Sequence, residues 1–396
     1  LLIQLLCFMN PTNNNKFNFK LGDSNYELAK EYYEYKTKQL SVSNTLFFEK
    51  NNEKLEISND DYVDFARSHE ENYRIFSKNW FIVKDHNKNN EFKLELNKFA
   101  DNVDFNSTIL PPDLMSIPIE RNSDKKHLFN GIFKKFRNIL SNKPKEIDWR
   151  KTKYLTPVKN QKNCGSCWAF SSTSALEAFL RKNNIKVTRL SEQELVDCSK
   201  ENYGCMGGLM DLAFDYIIEN NGLHSDENYP YNAKDNKCMK GCIVKDEKLN
   251  CDKDSCDTDS CDTDSCDKKV DDSRDCTIVD KVQGSGDFKY KYTEPYSIES
   301  LKESVIKTPI SIAINANTPL FRFYSDGVVE DSDGIRDQLN HAVLLVGYSF
   351  DEKGLYWIIQ NSWGKDWGDN GFIRVRGKEG SGVLSCQLYG VYPTKK

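Results

Sequence analysis

Two residues of this chain are best placed for covalent chemistry: a cysteine at an expected helix start and a histidine at the mouth of an expected strand. Cys167 sits in Gln161-Lys-Asn-Cys164-Gly-Ser-Cys167-Trp168-Ala-Phe, where the pattern opens a helix expected to run to about Asn183. Unpaired N–H groups and the dipole at such a start favour an anion, so a thiolate is stabilised there, and a neighbouring imidazolium would lower its pKa much further. Of the five histidines, only His224 and His341 lie in the second half of the chain. His224 falls in the polar stretch Gly-Leu-His-Ser-Asp-Glu and is expected to be an exposed loop residue. His341 heads the run Ala-Val-Leu-Leu-Val-Gly-Tyr, so its ring can face a cleft while the chain behind it is buried; a satisfied core histidine is the competing reading. In Ile358-Ile-Gln-Asn361-Ser-Trp363-Gly, Asn361 can accept a hydrogen bond from an imidazole without becoming charged, which fixes the ring's tautomer and orientation. Trp363 beside it can keep water off that bond, although singly both are ordinary turn residues.

Other chemistries compete for the same cysteines. Cys164-Gly-Ser-Cys167 is formally a C-x-x-C, which admits a thiol–disulfide redox pair or half of a zinc site. The redox reading wants a buried strand just before the motif, whereas Lys151 to Asn163 is polar and broken by Pro157. A zinc site wants a second ligand pair, and Cys198 with Cys205 are poorly spaced for one.

The elements that must position these residues change in kind along the chain. Five of six Trp and twelve of thirteen Cys lie beyond residue 148. Upstream, residues 10–105 lack Cys and carry one strong helical stretch, Asp60 to His86, in which Tyr62, Phe65, Ala66, Tyr73, Phe76, Trp80 and Val83 form an apolar stripe. Residues 106–145 are basic and proline-punctuated, an exposed linker that a protease could cut. Downstream, a Ser191 to Glu194 capping box starts a second helix, and Asp211 to Asn220 forms a third that stops at Asn221-Gly222. Strands follow at Pro309 to Ala316, His341 to Tyr348, Leu355 to Asn361 and Phe372 to Arg376. Helices first and strands afterwards indicate an α+β fold of two lobes with a cleft between them. The net charge of −5, from 55 basic and 60 acidic residues in 396, argues against nucleic acid as a partner.

Together the quoted residues resemble the papain family of cysteine proteases, most closely its cathepsin L-like branch. The known family signature C-G-[SA]-C-[WY], followed far downstream by His and Asn, is matched by CGSCW, NHAVLLVGY and QNSWG, with further likeness in LSEQELVDC, GCMGGLMDLAF and the terminal YGVYPT. Cys167 and His341 are 174 positions apart, against the ~130–150 typical of the family, and an acidic insert at 239–276 accounts for the excess. The resemblance implies a papain-like two-lobe fold, a helical lobe plus a β-barrel-like lobe, preceded by a mainly helical propeptide. It divides the chain into 1–9, the remnant of a secretory signal or a clipped anchor; 10–105, an inhibitory propeptide; 106–142, a linker with the activation cleavage region; and 143–396, the mature domain. The propeptide match rests on Phe76, Asn79 and Asn87, with Ser68, Asn72 and Val83 at the places of the family's Glu, Arg and Ile, and on Glu95, Asn97, Phe99 and Asp101.

The same resemblance implies roles. Cys167 is the nucleophile, His341 its base and then the acid for the leaving amine, Asn361 orients His341, and Gln161 with the Cys167 N–H donates to the oxyanion. Gly207 and Gly208 line the wall that pairs with an extended peptide, and Leu209, Met210, Ala313 and Ala342 wall an apolar pocket for the second residue before the cut, with Tyr389 as its floor. Trp363 shields the His341–Asn361 contact. Asn340 stands where the family often has Asp. The implied disulfides are Cys164–Cys205 and Cys198–Cys238, with Cys242 competing for the latter; Cys386 is left as a buried lone thiol. No cofactor and no metal ligand set is expected. The implied partners are protein and peptide substrates, the chain's own propeptide and cystatin-like inhibitors of a monomeric enzyme in the secretory pathway, either in a lysosome-like acidic compartment or secreted.

One segment fits neither half. Cys-Asp-x-Asp-Ser occurs three times from Cys251, followed by Cys-Asp, within a run from Cys242 to Cys276 that holds twelve acidic and six basic residues. It reads as a solvated surface excursion. The alternative function, a non-catalytic protease-like scaffold, would use this insert to bind metal through carboxylates or thiolates, or a partner.

Overall fold

The computed structural model describes residues 23–41, 59–102, 145–239, 242–243, 277–278, 280–330 and 338–396. The expected leader at 1–9, the linker at 106–142 and the body of the Cys/Asp insert lie outside these residues. Among the described residues, contacts group those up to Phe81 with 98–102, and 82–97 with those from 145 onward.

In the smaller unit, α1 (Asp23–Ser41) and α2 (Asn59–Ser68) precede α3 (Glu70–Asn89), which begins there. The single helix expected over 60–86 is therefore two. At His69 the N–H turns to Ala66 O, while the Ser68 hydroxyl and the His69 ring both reach Phe65 O, so side chains compete for a carbonyl the α-helical ladder needs. Tyr32, Phe65, Tyr73 and Phe76 cluster their rings. Asp101 binds Lys36 Nζ at 2.6 Å and the Tyr35 hydroxyl at 3.0 Å. Asn72 donates to the Asp101 carbonyl at 2.8 Å, and Asn79 to Ala100 O at 2.8 Å.

The larger unit takes up the end of α3. Asn87 holds Leu94 N–H and C=O, closing a turn into β1 (Lys93–Leu94). Next come β2 (Ile147–Asp148), α4 (Cys167–Lys182), α5 (Glu192–Cys198), α6 (Met210–Glu219), β3 (Cys242–Ile243), β4 (Thr277–Ile278) and β5 (Lys289–Tyr292). They are followed by α7 (Ile298–Val305), β6 (Ile310–Ile314), α8 (Pro319–Arg322), β7 (Tyr324–Asp326), β8 (Val328–Val329), β9 (His341–Asp351), β10 (Gly354–Gln360), β11 (Phe372–Arg376) and β12 (Tyr389–Thr394). The main sheet runs β5-β12-β6-β9-β10-β11-β8, with β2 also on β9, and is antiparallel except for β11 with β8. β3 pairs with β4 at the base of the acidic insert. β1 pairs with β7, where Gly327 at φ +94° makes room: a Cβ there would lie 2.6 Å from Phe92 Cα.

Helix α4 is buried from Cys167 to Leu180, which its Ala, Ser and Phe content permits, and it is sutured to the sheet by Ser171 Oγ to Val343 O (2.7 Å) and Ser311 Oγ to Ser171 O (2.9 Å). At its flank Lys159 lies between Glu177 and Glu192 at 2.8 and 2.5 Å. Both carboxylates also accept threonine hydroxyls, Thr156 on Glu177 and Thr173 on Glu192, which is what makes buried charge tolerable. Only half of the expected capping box forms. The Ser191 hydroxyl accepts from Glu194 N–H, but Ser191 N–H goes to His224 O. The Glu194 carboxylate instead takes His224 N–H, His224 Nδ1 and Asn220. His224, expected to be exposed, is accordingly buried at 3% exposure, because an acid on a neighbouring helix satisfies it.

Candidate active site

Helix α4 presents Cys167 at its first turn, and β9 presents His341 at its first residue, both fully buried. Asn361 follows the last residue of β10. His341 Nε2–H donates to Asn361 Oδ1 at 2.8 Å, and that oxygen also accepts Ser362 N–H at 2.8 Å. An oxygen already receiving an N–H fixes the tautomer, since only a protonated Nε2 completes the pair. His341 Nδ1 is buried without a hydrogen-bond partner. Trp363 lies over the imidazole with centroids 5.0 Å apart, and Phe321 on α8 closes the site edge-on at 5.8 Å. Trp367 backs both, at 5.5 Å from Trp363 and 4.8 Å from Phe321.

Gln161 is held on several sides. Its N–H donates to Ser362 O (2.8 Å), its Oε1 accepts the Ser362 hydroxyl (2.7 Å), its Nε2 donates to Cys164 O (2.9 Å), and its carbonyl accepts the Tyr231 hydroxyl (2.7 Å). Cys164 is bonded to Cys205, and Cys198 to Cys238. With Cys164 so engaged, Cys167 lacks the partner a C-x-x-C redox couple needs, and Cys198 and Cys205 are likewise unavailable to zinc. Among the described residues the free cysteines are Cys167 and Cys386, both buried.

The expected subsite residues fall into two groups. Tyr389, Ala313 and Ala342 sit directly opposite one another across β12, β6 and β9, so their side chains share one face. Leu209 and Met210 lie at the start of α6, Met210 wholly buried. The two groups are linked by Asp211, which accepts the Tyr292 hydroxyl at 2.8 Å, and by the Tyr292 ring, 6.1 Å from that of Tyr389. Gly207 has φ +133°, a backbone conformation that favours glycine, whereas at Gly208 the constraint is space, since a Cβ would overlap Asn202 Oδ1 and lie 2.8 Å from the Trp168 ring. Asn340 turns its amide to Ala316 N–H (2.8 Å) and Asn315.

Burial and the local N–H groups act on the thiol in opposite directions. Burial pushes the Cys167 thiol up to about 11, against the N–H groups of Ala342, Trp168 and Cys167 itself, which favour the anion. Burial also holds His341 down at about 4, opposed by its bond to Asn361. With both groups shut away from water, burial favours the neutral form of each. Phe321, Trp367, Ser362 and Tyr231 were missed in the sequence, where nothing but long-range pairing marks them.

The family model described as papain family cysteine protease matches residues 143–391. A KDEL-tailed cysteine endopeptidase of Arabidopsis thaliana is 34% identical over 338 residues, covering 82% of this chain and 80% of that protein. A cathepsin L-like protein of Caenorhabditis elegans is 36% identical over 335 residues, 80% of this chain and 85% of that one. Among solved structures, a ragweed pollen cysteine protease in its proform aligns with a TM-score of 0.62 at 28% identity, covering 85% of this chain and 94% of its own. The chain belongs to the papain family of cysteine proteases. It has that family's α+β fold and is a cysteine endopeptidase; the non-catalytic scaffold is not favoured.

Proposed function

We propose that Cys167 and His341 carry out the peptide-bond cleavage, and that the chain is made as a latent zymogen. The observation that carries the catalytic reading is the polarity of His341: Nε2–H is spent on Asn361, and the basic nitrogen Nδ1 is left buried without a partner in the residue next to Ala342, whose N–H reaches Cys167. The Cys167 proton passes to Nδ1 as sulfur attacks the scissile carbonyl carbon. The oxyanion takes hydrogen bonds from the Cys167 N–H and the Gln161 amide, each such donor being worth roughly 100- to 1000-fold in turnover. His341 Nδ1–H then protonates the departing amine, leaving a thioester. A water, giving its proton to Nδ1, hydrolyses the thioester, and sulfur leaves with that proton. Asn361 holds the ring in line throughout, under Trp363.

Gly207 and Gly208 form the wall for an extended substrate, and Leu209, Met210, Ala313, Ala342 and Tyr389 form an apolar pocket for the second residue before the cut. Latency is supported by segment 82–97, which adds β1 to β7 and anchors Asn97 to Arg322 O at 2.8 Å. Cleavage in the 106–142 linker releases the mature enzyme, which acts on proteins and peptides in an acidic secretory-pathway compartment or outside the cell, and which cystatin-like inhibitors would block. The test is acid treatment of the full chain followed by a peptidase assay with and without a thiol-alkylating agent, beside Cys167→Ser. Activity that appears on cleavage and vanishes with either change is expected; an active Cys167→Ser enzyme overturns the assignment.

A further inference from the structure

We propose that Tyr231 is a positioning residue for the oxyanion donors, acting through a hydrogen-bond relay that joins the two stretches of chain bearing them. The inference rests on the reading of Gln161 and the Cys167 N–H as those donors. Tyr231 Oη lies 2.7 Å from Gln161 O and 2.6 Å from Ser166 Oγ. A carbonyl oxygen only accepts, so the single phenolic hydrogen goes to Gln161, and the bond to Ser166 must run from the serine hydroxyl to the tyrosine oxygen. The relay is Ser166 Oγ–H to Tyr231 Oη–H to Gln161 C=O.

Ser166 stands at the N-cap of α4, where a serine hydroxyl ordinarily accepts an N–H of the first turn. Here it makes no capping bond. Its hydroxyl is drawn away to Tyr231, which leaves the first-turn N–H groups of α4 without a side-chain cap, and those of Cys167 and Trp168 favour the anionic form of the Cys167 sulfur. The other end of the relay holds the carbonyl edge of the Gln161 peptide plane, whose opposite edge, the Lys162 N–H, donates to Asn160 Oδ1 at 2.9 Å; the anchor matters because Lys162 has φ +53°, a conformation disfavoured for a non-glycine residue. The Tyr231 ring itself is immobilised edge-on against Phe170 of α4, with centroids 4.8 Å apart at 90°. One hydroxyl therefore joins the Gln161 backbone to the N-cap of α4, adding to the bonds that Ser362 and Cys164 make to Gln161 a direct tie between the two stretches that carry the amide and the backbone N–H.

The test uses the acid-activated full chain. Tyr231→Phe deletes the hydroxyl and keeps the ring. Two probes separate the functions. A peptide nitrile forms an S–C bond to Cys167 while one C–N π bond opens and the thiol proton ends on nitrogen, which occupies the oxyanion position. Iodoacetamide alkylates Cys167, displacing iodide, with no oxyanion formed. The relay predicts that Tyr231→Phe lowers kcat and nitrile affinity by about 10-fold, short of the ~100-fold of a deleted donor, with KM and the iodoacetamide rate within about 2-fold of the unmodified enzyme. Ser166→Ala, which removes the other link, shifts nitrile affinity in the same direction by a smaller factor. Unchanged nitrile affinity in either variant, or an iodoacetamide rate that falls in step with it, overturns the positioning role. Gln161→Ala run in parallel tells the two levels apart. If it retains nitrile affinity, the donor assignment itself fails; if it loses affinity while Tyr231→Phe does not, only the relay fails.

Discussion

Acid should weaken the closed active site through one residue, His341. Its imidazole is fully buried among Asn361, Trp363 and Phe321, none of them charged, and burial holds it at about 4, whereas an unfolded or opened chain presents it at about 6.5. Because the folded value lies below the unfolded one, the opened state binds a proton that the closed state refuses between those limits. Stability is therefore lost as pH falls from about 6.5 to about 4 and changes no further below. The gap of about 2.5 units corresponds to about 3 kcal/mol. The measurement is urea unfolding at pH 7 and pH 4 in a Cys167→Ser background, which prevents self-digestion and removes the thiol's titration, with and without His341→Gln. Carboxylates such as Glu177, which burial and Glu192 also push upward, titrate in both proteins and cancel in the comparison. The protein retaining His341 is expected to lose about 3 kcal/mol more than the variant. Equal losses, to within about 1 kcal/mol, would refute the claim that a neutral imidazole is enforced by burial.

Cys164→Ser breaks the bond to Cys205 and should lower stability by about 2–5 kcal/mol while leaving Cys167 alkylatable in the folded protein; calorimetry and alkylation of the same sample check both halves, and a folded variant with an inert Cys167 would reopen the redox reading. Gly327→Ala places a Cβ against Phe92 at a φ of +94°, a backbone cost of about 1–2 kcal/mol. It should raise the peptidase activity of the uncleaved chain by about 5- to 30-fold, and unchanged latency would show that the β1–β7 contact does not hold the propeptide. Replacing residues 244–276 by a short Gly/Ser linker keeps the β3–β4 pair and should leave small-peptide turnover within about 3-fold, since loop length alone costs little; a folded variant without turnover would put the insert in the cleft.

What could be read in the sequence divides along the range of the interactions. Phe372–Arg376 was legible to the residue, and α4 to within one residue, because an alternating strand and a helix opened by a marked cysteine are set by near neighbours. The strand expected at His341 to Tyr348 continues to Asp351, since its pairing with β10 extends through the turn at Gly354, which an apolar run cannot report once it becomes polar. The helix break at His69 is also local, but it arises from side chains taking a carbonyl rather than from apolar spacing. His224 was misread because Glu194, thirty residues away, decides its burial. Lys159 with Glu177 and Glu192, and Tyr231 with Gln161 and Ser166, are invisible for the same reason: each group looks solvated until the fold supplies its partner.

If Cys167 and His341 act as proposed, these long-range pairings would let one site be both quiet at rest and ready to react. A thiol at about 11 and an imidazole at about 4 cannot exchange a proton cheaply while both are dry, since the ion pair would have to form without solvent or partner dipoles. On the proposed catalytic reading, the groups that would stabilise charge are nonetheless already in place: backbone N–H groups that favour the thiolate, the Asn361 oxygen that accepts from the imidazole, and Gln161 fixed through Ser362 and Tyr231. Admission of a peptide carbonyl adds the polarity the pair lacks, and no side chain then has to be reoriented to receive the charge. The penalty of burial falls on forming the ion pair in the empty site and is relieved as the substrate enters, so the burial that keeps both groups neutral sharpens the difference between an empty and an occupied site.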